Sequence, residues 1–468
     1  MISLRMKIKN YRWAMLLALL ACQLPSTAQH LQRRAFLGFQ PIPVTDSLCK
    51  VHKLPSGQGV LVGIVPPQGS MAALGVQPGD VLLRMNAVQF QNGMAYYTLS
   101  KTMQEGNPLE VELIRGKKRM TLKGKVLGMP KEQSTDAYLV EYGEMPYMDG
   151  YVRTISRRPR GAGKHPTLYF ITGYNCASVD NPTNLPPYTY LFDTLARLGY
   201  AIYRVEKPGT GDGPHPCQCA EIGFDKELDV FAAGYRHMLK EPWVDPQNVF
   251  MFGHSMGGFQ APLLANMPGI QPRGIAVYGT AFQSWYEYII AMLRFQMPRS
   301  GLAYAEFEQD MQQYLRLFYA HYVEMKPLSE ILADPAWKAL LERDFQLTAE
   351  GDLLYRRWYY WQELAKVDVV SAWSRTDAKV LSLYGSSDFE VFNRFSMEEI
   401  ARIVNAAHPG YGKFVELDGT DHLMVQVGGM EEGHTLRDTP DYRKRMSDSF
   451  DWRIVRELDA WMRAAIRN

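Results

Sequence analysis

NVFMFGHSMGGFQAPLLA, residues 248–265, is the stretch on which the fold turns. Asn248 to Phe252 carry a run of large apolar side chains, which reads as a short buried strand. Gly258 to Ala265 are apolar again and helix-like. Between them lies Gly253-His254-Ser255-Met256-Gly257, a G-x-S-x-G sequence. A sharp strand-to-helix turn holds such a serine in a strained backbone conformation, and side chains two residues before or after it would collide with neighbouring elements. The turn exposes the Ser255 hydroxyl, and the helix N-terminus presents the Met256 amide to a developing oxyanion. His254 adjoins the serine but points from a tight turn, so it is read as support for that turn.

A serine hydroxyl is a poor nucleophile at neutral pH and needs a base, and the base needs an orienting acid. The chain order Ser, Asp, His directs the search downstream. Lys379 to Gly385 read as a strand ending in a turn, and Asp388 follows three residues later as the leading acid. Phe414 to Leu417 form a later strand, followed by Asp418-Gly419-Thr420-Asp421-His422, which makes His422 the leading base. Glu390, Asp418 and Asp421 are the alternative acids, and His434 is a candidate substrate contact.

Outward from this centre the chain alternates strands and helices. Residues 137–142 and 150–156 read as antiparallel starting strands, followed by a buried strand Thr167 to Ile171, a helix near 188–198, a strand Tyr200 to Val205 and a helix over 225–240. From 137 to 468 this resembles the α/β-hydrolase fold, a mostly parallel α/β sheet. The resemblance implies a second oxyanion donor on the loop after the strand 167–171. Gly173-Tyr174-Asn175 stand there, so the Tyr174 amide is expected to pair with that of Met256; Thr172-Gly173 replace the usual His-Gly. The loop Pro208 to Gly213 lacks the spacing of a phosphate-binding loop and resembles the glycine-rich loop of these hydrolases. About a hundred residues separate the strand Gly274 to Tyr278 from that at 380, and their ring-rich segment, about 282–370, reads as a helical cap.

The stretch 35–128 reads as a small β-rich unit. GVLVGIVPPQGSMAALGVQPGDVLLRMNA, residues 59–87, resembles a PDZ domain of the kind found in secreted bacterial proteases, with Leu109 to Ile114 and Arg119 to Lys123 as closing strands. The resemblance implies capture of a peptide C-terminus by strand addition. Phe36-Leu37-Gly38-Phe39 would be the carboxylate loop, with Gly38 letting the amides turn toward an anion.

Arg5, Lys7, Lys9 and Arg12, the apolar run Ala14 to Cys22 and the small residues Ser26-Thr27-Ala28 make residues 1–28 a secretory signal peptide, implying export to the periplasm or exterior. Leu19-Leu20-Ala21-Cys22 also resembles a lipoprotein cleavage box, and a membrane partner is expected only if Cys22 is lipidated. Cleavage after Ala28 leaves Cys49, Cys176, Cys217 and Cys219. In an oxidising compartment either Cys217 or Cys219 is placed to pair with Cys176. Lys plus Arg total 51 against 49 Asp plus Glu over 468 residues, so no basic field favours a nucleic-acid partner. No zinc-ligand spacing appears, and neither metal nor cofactor is expected. The expectation is thus an exported serine hydrolase of carboxylic esters acting on a small-molecule substrate. A serine peptidase fed by the PDZ-like unit, or a non-catalytic peptide-binding adaptor, are the alternatives.

Overall fold

The computed structural model describes residues 29–90, 99–100, 102–180, 186–212, 215–437 and 439–467. The signal-like segment 1–28, with Cys22, lies outside the described residues. No described helix is long and apolar enough to cross a membrane.

The first unit is a six-stranded sheet: β1 (Pro41–Pro43), β2 (Val60–Val62), β3 (Val81–Met85), β4 (Val88–Gln89), β5 (Pro108–Arg115) and β6 (Lys118–Lys125). Its main path runs β1-β2-β3-β5-β6, with β4 paired to β3. Val60, Val62, Leu82, Met85, Val111 and Leu113 project into one core of its own. A bridge between Ala35 and Gly128 ties the two ends of the unit together. The segment before it is clamped to the rest of the chain. Arg33 and Arg153, both buried, converge on Asp212 at 2.8 Å, and the amides of His30 and Leu31 each reach Glu144 at 2.9 Å.

The second unit is an eight-stranded sheet built from β7 (Tyr138–Tyr147), β8 (Gly150–Pro159), β9 (His165–Ile171), β10 (Ala201–Val205), β11 (Val244–His254), β12 (Gly274–Tyr278), β15 (Lys379–Gly385) and β16 (Gly412–Leu417). Its order is β16-β15-β12-β11-β9-β10-β8-β7, parallel from β16 to β10, with antiparallel pairings of β8 to both neighbours. Residue alternation on β11 divides its side chains between the two faces. Val249 and Met251 pack with helices 224–238 and 256–265, while Phe250 and Phe252 pack with helices 186–197 and 453–467. With both faces covered, β11 and β12 read as continuous apolar runs. All parallel strands discharge their loops at one edge, where an open α/β sheet forms its site.

Between β12 and β15 lies the cap. It is mainly helical, with helices Trp285–Gln296, Tyr304–Phe318, Pro335–Asp344 and Trp358–Ala365. A two-stranded hairpin, β13 (Asp352–Leu353) and β14 (Arg356–Arg357), interrupts the helices, a feature that the ring-rich helical spacing concealed. Its tip residues Leu354 and Tyr355 both have positive φ (49° and 66°), the backbone of a two-residue primed turn built without glycine.

Cys176 is bonded to Cys219, across 43 residues, while Cys49 and Cys217 are free. Breaking a cross-link of this span is expected to cost about 2–4 kcal/mol. Thermal unfolding with and without reductant should therefore differ by several degrees, and an unchanged midpoint on verified reduction would contradict a stabilising role.

Candidate active site

Ser255 stands between β11 and the helix Met256–Ala265 with φ 56° and ψ −126°, outside the ordinary basins for an L-residue. The two flanking glycines explain how the chain fits. A Cβ on Gly253 would lie 2.4 Å from the Gly257 carbonyl oxygen, and one on Gly257 would lie 2.0 Å from that of Ile171. The strain is held by the hydrogen bond from the Ser255 amide to Tyr278 O (3.0 Å) and from the Gly258 amide to Ser255 O (2.9 Å).

Asp388 and His422 come from the loops after β15 and β16. His422 Nδ1 lies 2.8 Å from Asp388 Oδ2. The other carboxylate oxygen, Oδ1, accepts the amides of Glu390 (2.9 Å) and Val391 (2.8 Å), so the carboxylate is fully buried yet satisfied. Burial alone would lower the His422 pKa. The charges of Asp388 and Glu390, with the hydrogen bond from His422 to Asp388, outweigh it and push the imidazole up to about 9. Burial would likewise raise the Asp388 pKa, but His422 and the two amides hold it below the ordinary value.

The alternative acids are otherwise engaged. Glu390 pairs with Arg437. Asp418 accepts from Ser386 Oγ at 3.1 Å. Asp421 binds the Leu423 and Val425 amides and the Tyr442 hydroxyl, with burial pushing its pKa up to about 6. His254 is buried, and its Nε2 donates to the His422 carbonyl at 2.8 Å while its Nδ1 meets the Tyr188 hydroxyl. Burial, then the neighbouring His422, pushes its pKa down to about 3, so it remains neutral and fixes the backbone of the loop bearing His422.

A cavity of about 760 Å³ lies over these residues and is bordered by Ser255, Met256, His422, Gly173 and Tyr174. The cap supplies its apolar roof, including Trp285, Met292, Leu354 and Trp361. A Cβ on Gly173 would lie 3.3 Å from the Ser255 Cβ, which places the Gly173–Tyr174 peptide beside the serine. Met256 opens its helix, so its amide has no intrahelical acceptor. His434 stacks on Phe389 at 4.0 Å and reaches the cavity wall. Among the described residues Asp388, Glu390 and His422 are the one group whose ligand atoms, within 4.8 Å of one another, could gather a metal. Their mutual hydrogen bond and the Arg437 pair already engage them.

Sequence reading missed Gly279. It follows β12 with φ 59°, and a Cβ there would fall 2.8 Å from His422 Nδ1 and 2.9 Å from Asp388 Oδ2. Its only sequence signal was a glycine directly after a buried strand. Gly279→Ala is expected to lower kcat about 100-fold by displacing the imidazole, and to cost about 1–2 kcal/mol through the left-handed backbone. Steady-state kinetics and a melt would show both; unchanged kcat would mean that the His422–Asp388 geometry tolerates the methyl.

Phe36 to Phe39 lie in the first unit, and the structure does not bring them to this cavity's lining. Leu37 and Phe39 are buried in that unit's core, Gly38 has φ 70°, and the carbonyls of Phe36 and Leu37 accept the Ser70 and Met71 amides at 2.8 and 2.9 Å. The following β1 is an edge strand. Gln40 exchanges both backbone groups with the β2 side, through Ile64 O at 2.8 Å and the Gly63 amide at 2.9 Å. By alternation Pro41 and Pro43 face the open edge, where neither can donate to an added strand.

A strained serine turn at the carboxyl edge of a mostly parallel sheet, with an acid and a histidine on the next loops, defines the α/β-hydrolase class. The chain belongs to the alpha/beta hydrolase family, whose profile matches residues 174–431. Among solved structures, Est1E from Butyrivibrio proteoclasticus is 15% identical, with 69% of this chain and 99% of that one covered (TM-score 0.41). A highly thermostable carboxyl esterase from Bacillus coagulans is 14% identical over 70% and 100% (TM-score 0.41). The acylaminoacyl peptidase of Pyrococcus horikoshii is 12% identical, with 73% of this chain covered (TM-score 0.40), and the match spans 45% of the peptidase. No curated protein matches the chain.

Proposed function

We propose that this chain is an exported serine hydrolase that cleaves carboxylic esters through an acyl-enzyme. The observation that carries the reading is Ser255 at a strained turn, opening on the same cavity as His422, which is hydrogen-bonded to Asp388 behind it. In the first step the Ser255 oxygen bonds to the acyl carbon while His422 Nε2 takes its proton. The negative charge gathers on the carbonyl oxygen, which the Tyr174 and Met256 amides would receive. Collapse breaks the ester C–O bond, and His422 returns the proton to the departing alcohol. Water then repeats the sequence on the acyl-enzyme, releasing the acid and regenerating Ser255. Asp388 holds the Nδ1 proton of His422 throughout, leaving Nε2 free to act as base.

The apolar cap and the cavity of about 760 Å³ favour acyl or alcohol groups much larger than acetyl. Export rests on the signal-like residues 1–28, and the Cys176–Cys219 bond suits an oxidising compartment. The ester assignment is tested with p-nitrophenyl esters of increasing chain length against matched peptide anilides. Ester turnover that vanishes in Ser255→Ala without anilide cleavage supports it. Strong anilide cleavage would make the chain a peptidase.

A further inference from the structure

We propose that Lys207 is a positioning residue that aims the Tyr174 amide at the reacting carbonyl oxygen; this rests on the serine-hydrolase reading above. Lys207 follows β10 in the glycine-rich loop and is only 1% exposed. An ammonium has three N–H donors. Here Nζ meets three acceptors: Gly173 O at 2.5 Å, Asn175 O at 3.0 Å and Glu227 Oε2 at 3.1 Å. Burial lowers the Lys207 pKa to about 8, against the opposing pull of Glu227, so the cation persists at neutral pH.

Peptide geometry turns these contacts into a directional constraint. In a planar trans peptide the carbonyl of one residue and the N–H of the next point in opposite directions. Drawing Gly173 O toward Lys207 therefore turns the Tyr174 N–H the other way. Gly173 meets Lys207 through its carbonyl oxygen and also stands beside the Ser255 side chain, so a Tyr174 N–H turned away from Lys207 is proposed to face the nucleophile. The cation also polarises the same peptide unit, strengthening its N–H as a donor to a developing oxyanion.

The anchor is itself held. Glu227 is fully buried and also binds Arg356, Gln260 Nε2 (2.9 Å) and the Tyr360 hydroxyl (3.1 Å). Arg356 comes from β14 of the cap hairpin and donates from Nη1 to Tyr174 O at 2.7 Å, fixing the next peptide unit. The hairpin tip that places Leu354 in the cavity wall is the one with two consecutive positive φ values. The cap thereby participates in setting the oxyanion loop from behind, through Arg356 and the shared Glu227.

The experiment compares wild type, Lys207→Met, Lys207→Gln, Lys207→Arg and Ser255→Ala. It measures kcat, KM and binding of a trifluoromethyl ketone, whose hemiketal oxyanion mimics the tetrahedral intermediate. Lys207→Met is expected to lower kcat about 10- to 100-fold with KM changed less than about threefold. Ketone affinity should fall by a similar factor, and Lys207→Arg should recover part of both. In Lys207→Met the Glu227 carboxylate keeps Arg356 as its counter-ion, and Lys207→Gln, which keeps a polar donor without the charge, is the second test if the methionine variant does not fold. Its kcat should stay below wild type. Ketone affinity and kcat at wild-type levels in Lys207→Met or Lys207→Gln, with Ser255→Ala inactive, would overturn the role of Lys207 and leave the hydrolase reading standing. An active Ser255→Ala would instead remove the reading on which the inference rests.

Discussion

Replacing Ser255 by alanine is expected to reduce ester turnover by about 10⁴-fold or more, with thermal stability nearly unchanged. The size follows from what is removed: in the proposed mechanism, the oxygen that bonds to the acyl carbon. The unchanged stability follows from the backbone, because alanine must adopt the same φ of 56° and ψ of −126° and neither gains nor loses by it. Ser255→Gly separates chemistry from strain. It should be equally inactive but more stable by about 1 kcal/mol, since glycine occupies that region without a Cβ clash. Turnover assays and melts on the three proteins provide the check. An alanine variant retaining a tenth of wild-type turnover would place the nucleophile elsewhere.

Asp388→Asn is expected to lower kcat by about 10³- to 10⁴-fold, for a reason specific to this loop. Asp388 Oδ1 accepts two backbone amides, from Glu390 and Val391, so the single oxygen of asparagine must remain there. Its NH₂ then faces His422 Nδ1. The imidazole is forced to carry its proton on Nε2, where it cannot take one from Ser255. The pH profile supplies a second readout. With His422 pushed up to about 9, the neutral base grows in as pH rises, so wild-type kcat/KM should climb from pH 7 toward 9. Removing the Asp388 anion takes away a charge that favoured imidazolium, and the residual activity should show its limb at lower pH. A limb in the same place, or a loss smaller than tenfold, would mean that another group orients His422.

Much of the sheet was legible because its strands are buried on both faces and bounded by turn residues. Gly274–Tyr278 and Lys379–Gly385 stand where their apolar runs placed them, and the glycines around Ser255 gave the turn away. Asp388 and His422 could be read as partners because chain order restricts the search to loops after late strands, and the fold brings them within 2.8 Å of each other. The features that escaped reading depend on distances across the sheet. Gly279 matters because two side chains from β15 and β16 loops meet against it, which no local pattern records. Lys207, Glu227 and Arg356 are separated by up to 149 positions and converge only in the fold. The choice of Cys219 over Cys217 also needed three-dimensional placement, since two cysteines two residues apart look alike in sequence. The cap hairpin lacked the Asn-Gly type of signal, its turn being made by Leu354 and Tyr355.

The central claim is that Ser255 is an activated nucleophile, and the most direct test is covalent capture. The folded protein is incubated with a fluorophosphonate, digested, and the adduct located by mass spectrometry, with Asp388→Asn as the attenuated control. A single stoichiometric adduct on Ser255, formed far more slowly in the control, is the expected result. No labelling of Ser255 in the folded protein, or equal labelling in both proteins, would contradict it.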